Sequence, residues 1–262
     1  MSVFNEYAGY YDLLYRDKDY SGETEYVHSL IQSQSPSART ILNLGCGSGR
    51  HDRCFEEYGY AVTGVDVSDE MLAAARQAAG GNETLEYVHG DARSIRLNKK
   101  YDAVISLFHV MSYQVTNDDL VNAFATAHYH LKKNGVFVFD CWYGPGVLTD
   151  PPSVRIKEIE DDIISITRIA QPTIYPNDNV VDVNYLMFVR EKRTGHVKEI
   201  RETHRMRYLF HPEVKHFLLD VGFESDRQEE WMSGDTLGSK CWNAVFVCRR
   251  LEQGEVTSCP GS

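Results

Sequence analysis

The sequence predicts an α/β fold: a doubly wound, mostly parallel Rossmann-like sheet with an antiparallel β-sheet subdomain inserted late in the chain. Three observations predict it. Short apolar runs alternate with amphipathic stretches between residues 23 and 139, the pattern of parallel strands joined by crossover helices. A glycine-rich turn, Gly45-Cys46-Gly47-Ser48-Gly49, follows the first of those runs; glycine there lets the backbone turn sharply and approach a ligand. After Gly144-Pro145-Gly146 the helical period fades, and residues 163–169, 180–189 and 200–210 read as strands separated by Pro176-Asn177-Asp178-Asn179 and Lys192-Arg193-Thr194-Gly195.

In chain order, residues 4–20 hold Tyr7, Tyr10, Tyr11, Tyr15 and Tyr20 among Asp12, Asp17, Lys18 and Asp19. Such rings either pack a helix onto the domain or cover a ligand. Residues 23–34 form an amphipathic helix with Tyr26, Val27, Leu30 and Ile31 on one face. Strand 40–44 leads into the glycine turn, a helix over 50–58 ends at Gly59, and strand 61–65 delivers Asp66. Ser68 is placed to cap a helix over 69–79 by accepting from the Met71 N–H. Strand 85–89 ends in Gly90-Asp91-Ala92, and strand 101–107 ends in Phe108-His109-Val110-Met111-Ser112-Tyr113. A helix over 118–131 and a strand over 136–139 follow, the latter running into Asp140-Cys141-Trp142-Tyr143. A helix from Pro212 and strands over 223–228 and 242–248 close the fold.

These elements divide the chain into one domain made of residues 1–150 and 211–251, an inserted β subdomain over 151–210, and a flexible tail over 252–262 rich in Gly, Ser, Thr and Pro. The insert either covers the substrate or forms a homodimer contact. A chain of 262 residues is long enough for such a core. The formal net charge of −11 argues against nucleic acid or an anionic membrane as partner. No basic leader and no run of the roughly 18–20 apolar residues that span a bilayer is present. Six scattered cysteines without a C-x-x-C pair read as reduced thiols of a cytoplasmic protein. The histidines and cysteines show no zinc spacing, and Asp140 has no second carboxylate beside it for a hard cation, so no metal is expected.

In a doubly wound sheet, ligands bind at the carboxyl ends of the strands, so the strand tips are the candidate site. Asp66 can accept from two ribose hydroxyls. A dinucleotide site wants a third glycine where Arg50 stands, and a P-loop wants Lys after Gly49 where Arg50-His51 follow. S-adenosylmethionine (SAM) remains. It has no pyrophosphate, and it uses one acid for ribose, Asp66, and one near adenine, Asp91.

At these residues the sequence resembles the class I SAM-dependent methyltransferases. LNLGCGSG is similar to their first motif, Val65-Asp66-Val67-Ser68 with Met71 to the ribose motif, and Gly90-Asp91-Ala92 to the adenine motif. The resemblance implies a seven-stranded methyltransferase sheet whose last strand, near 242–248, is antiparallel. It implies SAM as cofactor, with S-adenosylhomocysteine as product, held by Lys18, Tyr20, Gly45, Cys46, Gly47, Asp66, Val67, Met71, Asp91, Ala92 and Phe108, where Cys46 lines the turn and is not a nucleophile. The N-terminal tyrosine pattern, residues 108–113 and Trp142-Tyr143 before the insert resemble more narrowly the bacterial deoxysugar N-methyltransferases. That implies methyl transfer to an amine or hydroxyl of a small molecule, a sugar or sugar nucleotide; another small metabolite as acceptor and a non-catalytic SAM-binding protein are the alternatives. His109 stands where those enzymes often carry a small residue, which brings a hydroxyl acceptor into play.

A hydroxyl acceptor needs a base, and His109 is the candidate, against the simpler reading of a histidine capping the strand end. Tyr11 is the candidate for orienting the acceptor. Tyr7, Tyr113, Trp142 and Tyr143 are candidate substrate contacts. Alternation over 200–210 places Arg201, Thr203, Arg205 and Arg207 on one face. That face reads first as solvated; as part of the site, Arg205 would belong to a cationic wall beside a phosphorylated substrate.

Overall fold

The computed structural model describes residues 8–251. Tyr7 and the expected tail over 252–262 lie outside the described residues. The main sheet has seven strands: β1 (Thr40–Leu44), β2 (Ala61–Asp66), β3 (Leu85–His89), β4 (Tyr101–Ser106), β5 (Leu131–Trp142), β10 (Phe223–Glu230) and β11 (Asn243–Arg250). Their order is β10-β11-β5-β4-β1-β2-β3. β11 is antiparallel to both neighbours, and the five strands from β5 to β3 are parallel. Order reverses next to β1, so the switch point lies where the glycine turn leaves that strand.

Two layers of helices cover the sheet. On one side α2 (Tyr20–Gln34) and α3 (Arg50–Glu57) bury Val27, Leu30, Ile31 and Phe55 on Ile41, Val62, Ile105 and Val138. On the other side α5 (Asn117–His130) and α7 (His211–Asp220) bury Leu120, Phe124, Val214 and Leu218 on Leu42, Phe137, Phe139 and Phe246. Central strands apolar on both faces are what a two-sided parallel sheet requires. Helix α4 (Asp69–Ala79) begins at the expected cap, with Met71 N donating to Ser68 Oγ at 3.2 Å, and stops at Gly80, whose φ of 60° is left-handed.

The insert forms a second sheet of four antiparallel strands in sequential order: β6 (Arg155–Glu160), β7 (Ile164–Tyr175), β8 (Val180–Glu191) and β9 (Val197–Arg207). The expected turns are present, with Asn179 at φ 57° and Gly195 at φ 72°. Strand β6 was not expected; four of the six residues of its RIKEIE are charged, and Ile156 is exposed, as suits an edge strand. β5 begins earlier than expected because Lys132–Gly135 bulge out at Asn134, φ 59°, before the strand resumes its pairing at Val136. A short helix α6 (Gly144–Thr149) connects the two sheets where only a change of pattern was expected.

The N-terminal helix α1 (Ala8–Leu14) joins the two parts. It lies against α4 and β6. Leu14 is buried with Ile159, Ile166, Met187 and Ile200 of the inserted sheet, and Tyr10, Tyr11 and Tyr15 pack on the same cluster. Arg16 donates to the Glu160 carbonyl at 2.8 Å, and Lys157 donates to the Leu14 carbonyl.

Candidate active site

The glycine turn is folded around Asp66. Gly45 N and Cys46 N both donate to the Val65 carbonyl, and Gly47 N donates to Asp66 Oδ2 at 2.8 Å. Ser68 N donates to Oδ1 at 2.9 Å. Burial pushes the Asp66 carboxyl up, and the N–H groups of Ser68, Gly47 and Val67 oppose that shift. Each carboxylate oxygen keeps lone-pair capacity beyond its backbone bond, so Asp66 can still accept from a ribose. Gly47, at φ 55°, has open space where a side chain would project, while Gly45, at φ 83°, presses on Val110. The turn is therefore closed beneath and open above, the shape a cofactor cradle needs. The Cys46 thiol turns away from this opening. It sits beneath the turn near Gly64 and Asp52, and burial raises it, so only the backbone of Cys46 is offered to a ligand.

Beside the turn, Tyr20 is buried and its hydroxyl has no hydrogen-bond partner. The Tyr20 ring lies under Lys18 (5.2 Å) and Arg50 (5.2 Å) and edge-on to His51 (4.8 Å). Lys18 is bonded to Glu23, and Glu23 holds His51 Nε2 at 2.7 Å. Lys18 Nζ is also 4.4 Å from the centre of the Phe108 ring. Lys18, Tyr20 and Phe108 are thus brought together next to the turn. A buried hydroxyl without a partner, next to an open glycine cradle and an acid at the tip of β2, fits a polar ligand of SAM type.

On the far side of β2, Val67 is exposed and Met71 is buried under the start of α4. Ala92 is buried in the large core. Asp91 is engaged: Arg93 donates to both of its oxygens and reaches Asp119 Oδ1 at 2.8 Å. The Arg93 hydrogen bond is the main cause holding the Asp91 carboxyl below its usual range. Asp91, Arg93 and Asp119 line a shallow depression with Ser94, Arg96 and Asn122. Sequence reasoning missed Arg93 because an arginine two residues from an acid is an ordinary surface feature.

At the tip of β4, Phe108 and His109 are both left-handed, with φ of 65° and 64°. Neither is glycine, so each costs about 1 kcal/mol or more. The buried Asp140 at the tip of β5 offsets this cost. Its oxygens lie 3.2 and 3.1 Å from His109 N, and Oδ2 is 2.6 Å from Nδ1. The latter is a close contact rather than a well-directed hydrogen bond. Asp140 is thus the orienting partner of His109. Among the described residues no group of three or more His, Cys, Asp and Glu side chains is placed to hold a metal.

Aromatic and polar side chains meet between this tip and the inner face of the inserted sheet. Tyr15 stands edge-on to Phe108 at 5.1 Å and accepts from Arg168 at 3.2 Å. The Arg168 guanidinium lies 5.2 Å from the Tyr185 ring, and Tyr185 meets His204 edge-on at 4.8 Å. His204 Nδ1 is 2.8 Å from the Tyr113 hydroxyl, which returns to the segment that carries Phe108. Tyr11 contacts Tyr15 at 4.7 Å and Phe108 at 6.4 Å, and Trp142 is 6.3 Å from His109. Tyr113 and Trp142 pack with Tyr185 in one cluster. Tyr11, His109, Tyr113 and Trp142 therefore lie around the same junction. Tyr143 and Arg205 are not. Tyr143 is buried in the core of the main sheet. Arg205 is on the exposed outer face of the insert, bonded to Asp182 at 2.9 Å. The sequence signal that could have found Tyr185 and His204 is their period-two placement with Arg168 and Glu202 on the face opposite Arg205.

The comparisons with known proteins agree with this geometry. Residues 41–135 match the family model described as "Methyltransferase domain". The chain is 29% identical over 197 residues, 74% of its length and 81% of the relative's, to dTDP-3-amino-3,4,6-trideoxy-alpha-D-glucopyranose N,N-dimethyltransferase of Streptomyces venezuelae. Its fold matches the crystal structure of Streptomyces venezuelae DesVI at a TM-score of 0.77 and 25% identity, covering 92% of this chain and 97% of that one. It also matches a SAM-dependent methyltransferase from Clostridium acetobutylicum at a TM-score of 0.81 and 20% identity, covering 95% and 99%. Motif, cradle, sheet order and relatives converge: the chain carries a methyltransferase domain and is a SAM-dependent methyltransferase of class I, Rossmann-like fold.

Proposed function

We propose that the acceptor is the amino group of a nucleotide-linked deoxy-aminosugar, methylated in the cytoplasm. The observation that carries this reading is the cluster of aromatic and polar side chains between the β4 tip and the inserted sheet. It holds the rings of Tyr15, Tyr185 and Trp142 and polar groups at Tyr113, Arg168 and Glu202. Rings that stack on apolar sugar faces, with a few fixed polar groups, suit a deoxysugar. The relative from Streptomyces venezuelae, named for a dTDP-linked amino sugar, supports the same class. Among the described residues, five free cysteines, all buried or half-buried, support a reducing compartment. The exposed Ile156 and Ile163 at the edge of the insert support a homodimer through that sheet.

The cofactor is held by the backbone of Gly45–Gly47, by Asp66, Val67, Met71, Asp91 and Ala92 along the strand tips, and by Lys18, Tyr20 and Phe108 at its other end. When bound, SAM supplies an electrophilic methyl on a sulfonium and leaves as S-adenosylhomocysteine. The chain supplies position and desolvation, the main terms for such a transfer. Tyr11 orients the acceptor. Bound SAM would offer its sulfonium methyl in line to the lone pair of the amine that Tyr11 orients, the carbon–sulfur pair going to sulfur. The proton shed afterwards passes to His109, held in place by Asp140. Calorimetry on protein saturated with S-adenosylhomocysteine tests the acceptor class. The reading expects dTDP-3-amino-3,4,6-trideoxy-α-D-glucopyranose to bind more tightly than its 3-hydroxy counterpart. Equal or weaker binding of the amine would reject it.

A further inference from the structure

Beneath the glycine turn lies a carboxyl that the methyl transfer described above does not use. Asp52, in the first turn of α3, is fully buried. Its Oδ1 accepts from Asn43 Nδ2 at 2.6 Å, while Oδ2 has no hydrogen-bond partner. Gly64 of β2 makes room for that free oxygen. A side-chain carbon on Gly64 would lie 2.7 Å from Asp52 Oδ2 and 2.8 Å from Cys46 Sγ. The free oxygen and the thiol of the turn therefore meet across one missing side chain. Gly64 pairs with Asn43 of β1, and its strand ends in Asp66.

The groups packed around Asp52 leave its charge finely balanced. Burial lifts its carboxyl to about 7, opposed by the Asn43 hydrogen bond and by Arg53 and assisted by Asp66. Arg53, next on α3, spends its guanidinium on the Ser48 and Gly49 carbonyls of the turn. From the turn, Cys46 is kept a neutral thiol by burial. From β3, Tyr87 packs on Gly64 and its buried hydroxyl is likewise neutral. Arg76 of α4 donates to the Tyr87 carbonyl at 3.0 Å, and on the α2 side His51 is held by Glu23 at 2.7 Å. A carboxyl so placed changes charge near neutral pH, and a further charge above it can tip the balance.

SAM and its product share adenine, ribose and the amino-acid end; they differ by a methyl and by one unit of charge. The sulfonium is a cation and the thioether is neutral. A buried anion beneath the cradle favours the first and is indifferent to the second, and a charge in the protein interior is little screened by salt. We propose that Asp52 is the residue by which the cradle tells SAM from S-adenosylhomocysteine, giving up a proton when the sulfonium is bound and regaining one once the methyl has left. The proton exchanges with solvent and takes no part in the transfer, so Asp52 is a specificity residue and not a catalytic one. The inference holds for any acceptor. Its sign follows from linkage. The bound sulfonium lowers the proton affinity of Asp52, while the product leaves it near that of the free protein. At low pH Asp52 is neutral in both complexes and gives no preference. The preference for SAM therefore grows as pH rises through about 7.

Calorimetry without acceptor tests this, measuring Kd for SAM and for S-adenosylhomocysteine between about pH 5.5 and about pH 8.5. Wild type, Asp52→Asn and His109→Ala are compared, because a protonated His109 at the β4 tip would repel a sulfonium with the same sign of pH dependence. In wild type the ratio of the product Kd to the SAM Kd is expected to rise about 3- to 10-fold over this range. In Asp52→Asn the rise is lost, and in His109→Ala it is kept. A flat ratio in wild type, a rise that survives in Asp52→Asn, or one that vanishes in His109→Ala overturns the proposal. A second measurement needs no variant to fold. The Asp52 carboxyl of 13C-labelled wild type is titrated by NMR, and its midpoint should lie about 0.5 to 1 pH unit lower in the SAM complex than in the product complex. Equal midpoints overturn the proposal.

Discussion

The Asp140 carboxylate holds His109 twice, by its backbone N–H at 3.1 Å and by Nδ1 at 2.6 Å. One buried acid therefore fixes both the left-handed backbone and the ring of the residue at the β4 tip. The two roles separate on mutation. His109→Ala is expected to lower kcat about 100-fold while S-adenosylhomocysteine affinity changes less than about threefold. An unchanged kcat in steady-state assays would remove the base role.

His109→Gly should be more stable than His109→Ala by about 1 kcal/mol, since glycine adopts φ 64° without the penalty that alanine meets. Denaturant melts of the two variants check this. Equal stabilities would mean that the backbone at this position is not strained.

Beneath the glycine turn, Asp52 is fully buried with Oδ1 accepting from Asn43 at 2.6 Å and Oδ2 without a partner. Burial is the largest cause lifting its carboxyl to about 7. A raised carboxyl means the fold prefers the protonated form. Its stabilising effect is complete below the ordinary carboxylate value near 3.8 and is lost as pH rises through about 7. The loss amounts to at most about 4 kcal/mol. Asp52→Asn should therefore raise Tm at pH 8, and the gain should vanish toward pH 4. A pH-independent difference would show that Asp52 keeps an ordinary titration.

Asp12 ties α1 to the glycine turn, accepting from Ser48 Oγ at 2.7 Å and Arg50 Nε at 3.0 Å. The carboxylate is half exposed, so the tie is a modest one, about 0.5–1 kcal/mol. Asp12→Ala is expected to speed S-adenosylhomocysteine release about two- to fivefold in stopped-flow displacement. No change would mean that α1 does not cover the cofactor.

Arg205 pairs with Asp182 and lies over the Tyr175 ring on the outer face. Arg205→Ala should leave kcat/KM within about twofold of wild type. A tenfold loss would place the outer face in the acceptor site.

The parts legible in the sequence are those set by local rules. Asp66, the Ser68 cap and the turn around Gly45–Gly49 follow from residue types at fixed spacing, and each occupies its expected place. The apolar strands told the sheet apart from the insert because their periods differ. What the sequence hid depends on contacts between distant segments. Asp140 looked like an isolated acid until β4 and β5 paired side by side and brought His109 to it. His204 and Tyr113 are separated by 91 residues, and only the docking of the inserted sheet joins them. Arg205 and His204 are neighbours in sequence on opposite faces, so the register of β9, not composition, decides which one meets the site.

The most direct test of the account is methyl transfer itself. The protein is incubated with 13C-methyl-labelled SAM and dTDP-3-amino-3,4,6-trideoxy-α-D-glucopyranose, and the product is read by proton–carbon correlation NMR. The account predicts a labelled N-methyl signal on the sugar that grows with stoichiometric release of S-adenosylhomocysteine. A labelled O-methyl signal, or binding of SAM with no label transferred to the sugar, would contradict it.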